Sequence, residues 1–248
     1  MQLLLSFVKI QKKLTHVVFL LYLHPNMKNT STYIVVCPHC GTTKQVAFSP
    51  LPWSNEKAPL WSDGHVEFIE WCEPAWTQQC PSCNHFFILP AKSTLKVEEI
   101  QCDDTGVLSY QTLKQAIKEL SGDKQSELRA RMDAWWAYNE LYRDVAESEI
   151  PSEEITFNRE NMQWLLNCLL KQKPCLYSLI FELYRLLGHD KEYKRLLDGF
   201  TFEKYKEWRK ARLQQDYIDD GRIEQSIYER FIKDKRDALN KPLRPYRK

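Results

Sequence analysis

Two short cysteine motifs are the segments of this chain whose residue types and spacing point most directly to chemistry. Segment 37–40 reads Cys-Pro-His-Cys and segment 80–83 reads Cys-Pro-Ser-Cys. Two thiols separated by two residues lie on a tight turn and can face one point, as half of a tetrahedral Zn²⁺ site requires. Gly41 and Asn84 follow the motifs, and both residue types tolerate the positive φ with which the chain leaves such a turn. We therefore predict one Zn²⁺ bound by Cys37, Cys40, Cys80 and Cys83.

The predicted zinc is structural, because four thiolates close the coordination shell and a catalytic zinc keeps one position open. Cys72, His39, His65 and His85 remain as alternative ligands. A thiol–disulfide redox protein is another use of such a motif, but it requires a helix that begins at the motif and lowers the pKa of the first thiol. A strand pattern over 43–48 replaces that helix here, which favours zinc.

The rest of the sequence contains none of the usual catalytic motifs. It has no Gly-rich phosphate loop, no His-Glu-x-x-His and no nucleophile elbow, so we expect a protein that is not an enzyme. The net charge is +2, but residues 27–92 carry four Lys or Arg against five Asp or Glu. Four thiolates with one Zn²⁺ make this region more negative still. It is therefore a poor surface for binding phosphates.

Short strand patterns flank both motifs, at 33–36, 43–48 and 86–89. They predict a small antiparallel zinc ribbon whose stability depends largely on the metal. An insert of 39 residues separates the half-sites, and a Trp-Ser-Asp-Gly turn within it precedes a strand pattern at 66–69. We expect its tryptophans to pack over the ribbon, with an aromatic recognition surface as the alternative. These tryptophans are Trp53, Trp61, Trp71 and Trp76.

Beyond residue 110 the apolar residues recur at helical spacing. Ser126 is the predicted N-cap of a long helix whose buried face includes Leu141, and Asn158 is the predicted N-cap of the next helix. Gly188 is predicted at a helix C-terminus. Ile227 is predicted on the buried face of the last helix. The composition, with 43% hydrophobic residues in 248, supplies ample material for a core.

These patterns predict an α+β chain: a small antiparallel four-cysteine zinc ribbon with a Trp-rich insert, then an all-α helical-hairpin bundle or short solenoid. The apolar run over 14–23 is too short to span a bilayer. Paired Cys-x-x-Cys motifs fit a reducing compartment, so we expect a cytoplasmic protein that does not bind membranes. The predicted parts are a dispensable leader or misassigned start (1–26), the ribbon with its insert (27–92), a linker (93–109), an α-helical region (110–240) and a basic tail (241–248). An anchor or a cleaved signal is the alternative for residues 1–26.

Several sequence marks together resemble a group of uncharacterised bacterial proteins. Beside the two cysteine motifs these are Trp-Ser-Asp-Gly at 61–64 and Ala-Trp-Trp-Ala-Tyr-Asn at 134–139. The resemblance covers about residues 33–200 and implies a split zinc ribbon joined to a tetratricopeptide-like helical region. Segment 183–193 looks like the joint between two such helical hairpins. That group has no function to transfer, so the resemblance implies architecture only.

Two functional hypotheses of different classes follow. The first is a non-enzymatic zinc-binding adaptor whose helical region binds a protein partner in grooves between helices. The alternative is a nucleic-acid-binding regulator that uses the ribbon and the basic tail, in which the cations are Lys241, Arg244, Arg247 and Lys248. We favour the adaptor, because the ribbon is anionic and the helical region is close to neutral.

Overall fold

The computed structural model of the chain describes residues 31–48, 62–63, 76–89, 96–98, 108–172, 176–212 and 225–241. Several predictions fall on other parts of the chain. The leader, the strand at 66–69, most of the Trp-rich insert and the basic tail after Lys241 lie outside the described residues. Within the described part, short strands come first and helices follow, so the chain has an α+β layout.

The strands of the N-terminal region form two small antiparallel sheets. The three-stranded sheet has the order β2-β1-β5, and β1 pairs with β2 so that Val36 lies opposite Thr43. In the two-stranded sheet β3 pairs with β4. Each of the two hairpins therefore carries one cysteine motif between its strands. The strands are β1 (Ser31–Val36), β2 (Thr43–Phe48), β3 (Thr77–Gln79), β4 (Phe86–Ile88) and β5 (Lys96–Glu98).

Three of these strands match predicted ones, and two do not. Strand β3 comes from a polar Thr-Gln-Gln run, and β5 lies inside the predicted linker, where Val97 pairs opposite Tyr33 of β1. Strands of three residues carry little periodic signal of their own. Their position is fixed by pairing with a distant segment rather than by local sequence.

Seven α-helices follow within the described residues, joined by short connections and one 3₁₀ turn at Glu147–Glu149. Successive helices from α1 to α5 pack against one another, and α7 packs against α5 and α6. No helix in the described part is long and apolar enough to cross a membrane. The helices are α1 (Tyr110–Leu120), α2 (Lys124–Tyr142), α3 (Ser152–Leu169), α4 (Tyr177–Leu186), α5 (Asp190–Asp198), α6 (Phe202–Arg212) and α7 (Gln225–Ala238).

The helix N-termini differ from two predictions. Asp123, not Ser126, caps α2, and its carboxylate accepts hydrogen bonds from the backbone N–H and the hydroxyl of Ser126. Helix α3 begins at Ser152, directly after Pro151, so Asn158 lies inside the helix and is buried there. Both errors have one cause: several residues with capping side chains stand within one or two turns, and local sequence does not rank them.

The C-terminus of α4 is as predicted. Gly188 has a φ of 73°, and the backbone N–H of His189 reaches back to the carbonyl of Tyr184. Two apolar residues are misplaced in the predictions, because Leu141 is 47% and Ile227 is 41% exposed. Both lie at the edge of an apolar stripe, where a helical pattern fixes the face only approximately.

Among the residues that the structure describes, three apolar clusters fill the helical region and a fourth lies in the strands. The central helical cluster is built around Trp135, Leu165 and Leu183 from α2, α3 and α4. A second joins α1 to α2, and an aromatic third joins α4 and α5 to the C-terminal helices. The strand cluster is much smaller and contains two of the cysteines. A core this small explains why the N-terminal region needs further support.

Candidate metal centre

Each cysteine motif adopts the same local turn. In the first, Gly41 N–H donates to the carbonyl of Cys37 at 3.0 Å; in the second, Asn84 N–H donates to that of Cys80 at 2.9 Å. Gly41 has a φ of 75° and Asn84 a φ of 61°. The predicted preference for Gly and Asn after the motifs is confirmed. These turns direct both thiols of each motif to one side of their hairpin.

The two turns bring four sulfur atoms together. Sγ of Cys37 lies 3.7 Å from Sγ of Cys83, and Sγ of Cys40 lies 3.6 Å from Sγ of Cys80. The four sulfurs all lie within 4.8 Å of one another. A tetrahedron with Zn–S bonds of 2.3 Å has S–S edges of about 3.8 Å. Two of the S–S separations match this value and none exceeds 4.8 Å, so the cluster can hold one metal ion.

Three of the four thiols have pKa values that depart from the ordinary value of a thiol. The Thr42 hydroxyl, together with its backbone, hydrogen-bonds the sulfur of Cys40 and lowers the pKa of this thiol to about 6. The backbone N–H groups of Cys83 and Ser82 lower the pKa of Cys80. A hydrogen bond from the backbone of His85 favours the Cys83 thiolate, but burial and the three neighbouring sulfurs outweigh it and raise the pKa of Cys83 to about 12. Such a cluster shares its protons among the four sulfurs, and a cation between them would favour the thiolates.

The two described histidines near the motifs are not part of the sulfur cluster. His39 and His85 are exposed, and their rings stack on each other with centroids 4.5 Å apart. The Nδ1 atom of His85 lies 3.2 Å from the carbonyl of Cys83. Neither therefore replaces a sulfur in the cluster. Cys72 and His65, the other alternative ligands, lie outside the described residues.

A compact apolar cluster lies behind the sulfurs. Val35 and Val46 come from the first hairpin, and Phe87 and Leu89 come from the end of the second. All four are at most 5% exposed. A polar contact adds to them, because Lys44 Nζ donates to Gln78 Oε1 at 3.0 Å. Among the described residues, the two hairpins thus meet through this small cluster, the Lys44–Gln78 hydrogen bond, the stacked rings of His39 and His85, and the sulfur atoms.

The second hairpin is also fixed to the helices. The backbone N–H of Thr77, at the start of β3, donates to the Asp133 carboxylate at 2.8 Å. The backbone N–H of Phe86, at the start of β4, donates to the Glu119 carboxylate at 3.0 Å. Trp76 lies under the Arg129 guanidinium, 4.6 Å from ring centroid to Cζ. Strands β3 and β4 therefore sit on α1 and α2 through their own backbone.

Burial makes the Asp133 contact unusual for an acid. The side chain is 6% exposed, and burial raises the pKa of Asp133 to about 6 against the opposing effects of the Thr77 hydrogen bonds and the Arg129 charge. A buried carboxylate that accepts a backbone N–H makes a strong, specific contact. Sequence analysis did not single out Asp133 or Glu119, because an acid on an amphipathic helix usually faces solvent.

The turn of the Trp-Ser-Asp-Gly motif lies between α2 and α4. Asp63 is fully buried, its carboxylate accepts from Asn139 Nδ2 at 2.6 Å, and its carbonyl accepts from Trp136 Nε1 at 3.2 Å. Ser62 is 1% exposed and donates its hydroxyl to Glu182 at 2.5 Å. Ser62 and Asp63 are thus fixed to the helical region.

The partner of Ser62 belongs to a buried ion pair. Glu182 and Arg185 are both 2% exposed, and the guanidinium donates to the carboxylate through two nitrogens at 2.7 and 3.0 Å. A buried pair with this bidentate geometry satisfies groups that would be costly to bury alone. The insert turn is therefore held by charged groups on α4 as well as by α2.

One further cysteine lies in the described ranges of the chain, and it does not belong to the centre. Cys168 lies on α3, half-buried and away from the sulfur cluster, while Cys102 and Cys175 lie outside the described residues. Of the four predicted ligands, Cys37 and Cys80 are buried, Cys83 is partly buried and Cys40 is exposed. The cluster is thus accessible to solvent at one sulfur.

Comparison with known proteins gives the chain no relative. No family model, curated protein or solved structure gives a significant match. The resemblance to uncharacterised bacterial proteins therefore has no support beyond the cysteine cluster and the helical C-terminal region that the structure shows.

Proposed function

We propose that this chain is a non-enzymatic zinc-binding adaptor, in which Cys37, Cys40, Cys80 and Cys83 hold one structural Zn²⁺ and the helical region binds a protein partner. The mutual approach of the four sulfurs is the observation that carries the proposal. A softer metal ion such as Cu(I) also favours thiolates, but four sulfurs in tetrahedral positions are typical of zinc sites.

A structural role for the metal is supported by its surroundings. Four protein thiolates leave no coordination position for water or substrate. The cluster behind the sulfurs is small, whereas a four-thiolate zinc site contributes about 10–16 kcal/mol of apparent binding free energy that is realised on folding. The metal would therefore supply much of the free energy that keeps the first hairpin on the second.

The adaptor role is supported by how the two regions are joined. Ribbon and helices share buried hydrogen bonds at Asp133 and Asp63, so a partner would meet one continuous surface rather than two tethered modules. The acidic excess of segment 27–92 disfavours phosphate contacts. A reducing, cytoplasmic setting is part of the proposal, since it keeps the thiols available for metal.

Metal content tests the zinc proposal. Elemental analysis of the purified full-length chain should give one zinc per chain, and Cys40→Ser/Cys83→Ser should reduce it to near zero. Cys168→Ser is the matched control and should retain the full content. Metal-free wild-type protein with a native-like ribbon, or equal metal content in both variants, would disprove the structural role of zinc.

Partner capture tests the adaptor proposal separately. The tagged full-length chain is cross-linked in cells, the extract is treated with nuclease, and recovered proteins are compared between the wild type and the Cys40→Ser/Cys83→Ser variant. We expect one specific protein to be recovered with the wild-type chain in an amount nearly equal to that of the chain itself. Nuclease treatment should not reduce its recovery. Recovery of nucleic acid instead, retained in a salt-dependent manner, would favour the regulator hypothesis.

A further inference from the structure

A groove runs between α2 and α4 beside the buried Ser62–Asp63 turn. Its volume is about 260 Å³, and Leu169, Gln172 and Leu176 line one side. This is below the ~300–1,000 Å³ of pockets that enclose a small organic ligand. It suits a few side chains of a larger partner better than a whole small molecule. Its apolar floor is formed by Leu128, Met132, Trp136, Leu169, Leu176 and Leu179.

The groove is continuous with a contact that the chain makes with itself. Trp136 lines the groove, and its indole N–H donates to the carbonyl of Asp63 at 3.2 Å. Leu179 lines the groove on α4, and Glu182, one helical turn further on, accepts the hydroxyl of Ser62. The same seam between two helices therefore already holds one turn of polypeptide by its backbone carbonyl and polar side chains.

Arg129 is the one charged side chain among the described lining residues, and its guanidinium also lies over the Trp76 ring. Lys124 and Lys171 precede the lining residues Gln125 and Gln172 in the sequence, and both act electrostatically on Cys168, next to Leu169, as does Glu127 with the opposite sign.

The acids on this part of α2 are engaged within the protein. Glu127 pairs with Arg131 at 2.8 Å, and Asp133 accepts the backbone N–H of Thr77. Asp123 caps the helix. A partner with acidic residues therefore meets complementary charge at the rim of the groove.

We propose that this groove is the docking site for a short segment of a partner protein that places large apolar side chains on the floor and acidic side chains at the rim. The inference rests on the proposed role of the helical region in protein binding and names the surface and the chemistry of the partner. This mode of binding is the one in which apolar side chains of a partner segment fill a groove between helices while charged residues flank it.

The experiment selects short random peptides from a display library against the zinc-loaded full-length chain. We expect enriched peptides to combine large apolar with acidic residues and to bind more weakly as salt rises. When the protein is labelled with ¹⁵N at tryptophan, binding of these peptides should shift the NMR signal of the Trp136 indole. The Trp136→Phe variant assigns that signal, because it lacks it. Enrichment of basic peptides, no enrichment at all, or binding that leaves the Trp136 signal unchanged would overturn the proposal.

A near-isosteric variant adds charge to the rim without removing packing. Gln125→Glu/Gln172→Glu should weaken the selected acidic peptides by about fivefold, the size expected for two partly screened rim charges. The matched control, Asn167→Asp/Asn240→Asp, adds the same charge at exposed positions outside the groove lining and should bind like the wild type. Equal weakening in both variants would show a non-specific charge effect and contradict the proposal.

Two further outcomes separate this inference from the adaptor role. If the cross-linked cellular partner is recovered equally by the wild type and Gln125→Glu/Gln172→Glu, the adaptor proposal stands and the groove is not its docking site. If the chain forms a dimer that the same variant dissociates, the groove belongs to a second copy and the proposal of a foreign acidic segment is wrong.

Discussion

The two cysteine hairpins are alike in their turns and different in what holds them. Both use the same backbone hydrogen bond and a positive φ after the motif. Hairpin β3–β4 also donates backbone N–H groups to Asp133 and Glu119 on the helices. In the part of the chain that the structure describes, hairpin β1–β2 packs with β5 and meets β3–β4 through the small apolar cluster, the Lys44 contact, the stacked rings of His39 and His85, and the sulfurs.

This asymmetry gives the proposed metal a specific task. For β3–β4, the metal adds to contacts that the helices already provide. For β1–β2, it would be the strongest of the described connections to β3–β4, because one hydrogen bond contributes about 1 kcal/mol and a thiolate zinc site about ten times more. The position of β1–β2 should therefore depend on the ion more than that of β3–β4 does. Each experiment below tests this difference.

Metal removal should have the largest effect. After chelation, the backbone amides of residues 31–48 should exchange with solvent as in an unfolded chain, whereas residues 76–89 keep part of their protection and α1–α4 keep nearly all of it. The reason is that, within the described part of the chain, the second hairpin is the one with hydrogen bonds to the helices. Hydrogen-exchange mass spectrometry of the chelated full-length chain measures this. Equal loss of protection in both hairpins would refute the asymmetry.

Titration of Asp133 should change the strength of the second hairpin's anchor. The ordinary pKa of this carboxyl is 3.8 and the folded value about 6, so between these values the folded chain binds the proton more tightly than the unfolded chain. Its contribution to the free energy of unfolding therefore falls as pH rises through this window. Two pKa units set an upper limit of about 3 kcal/mol.

Asp133→Asn isolates this contribution, since the amide oxygen still accepts the Thr77 N–H and carries no charge. The free energy of unfolding of the variant minus that of the wild type should increase by about 1 kcal/mol between about pH 5 and about pH 7. Denaturant unfolding of both zinc-loaded proteins at each pH measures this difference, in which the titration of the thiols cancels. A difference independent of pH would mean that burial does not raise the pKa of Asp133.

Loss of the second acceptor should have a smaller effect. Glu119→Ala leaves the Phe86 N–H without its partner and should lower the free energy of unfolding by about 1 kcal/mol, since the residue is exposed and water can replace part of the contact. Exchange should increase at residues 86–89 and not at 31–48. Glu119→Gln, which keeps an acceptor, is the control. If the alanine and glutamine variants behave alike, the carboxylate does not anchor β4.

The cysteine hairpins were largely predictable from sequence, and their anchors were not. The spacing within each motif and the residue after it, Gly41 or Asn84, fix a local turn, and local geometry is what short-range patterns encode. The position of β5 depends on pairing with β1, and the role of Asp133 depends on where β3 lands on α2. Both are long-range contacts that leave no periodic signal in the chain.

The insert turn shows the same limit in another form. Trp-Ser-Asp-Gly predicted a turn, but nothing in its residues indicated that Ser62 and Asp63 would be buried against Glu182 and Asn139. A short polar segment ordinarily predicts a solvent-exposed turn. Only the approach of α2 and α4 supplies the partners that make its burial favourable.

Lys44→Met should have the smallest effect, and it tests the contacts of hairpin β1–β2, which has no described hydrogen bond to the helices. The change removes the hydrogen bond to Gln78 and keeps the apolar part of the side chain, so the zinc-loaded chain should lose at most about 0.5 kcal/mol. In the chelated chain it should have no effect, because the first hairpin is then already released. Exchange of residues 31–48 measures both states. If Lys44→Met speeds that exchange markedly while zinc is bound, side-chain contacts rather than the metal hold β1–β2 in place, and the two hairpins are more alike than their anchors indicate.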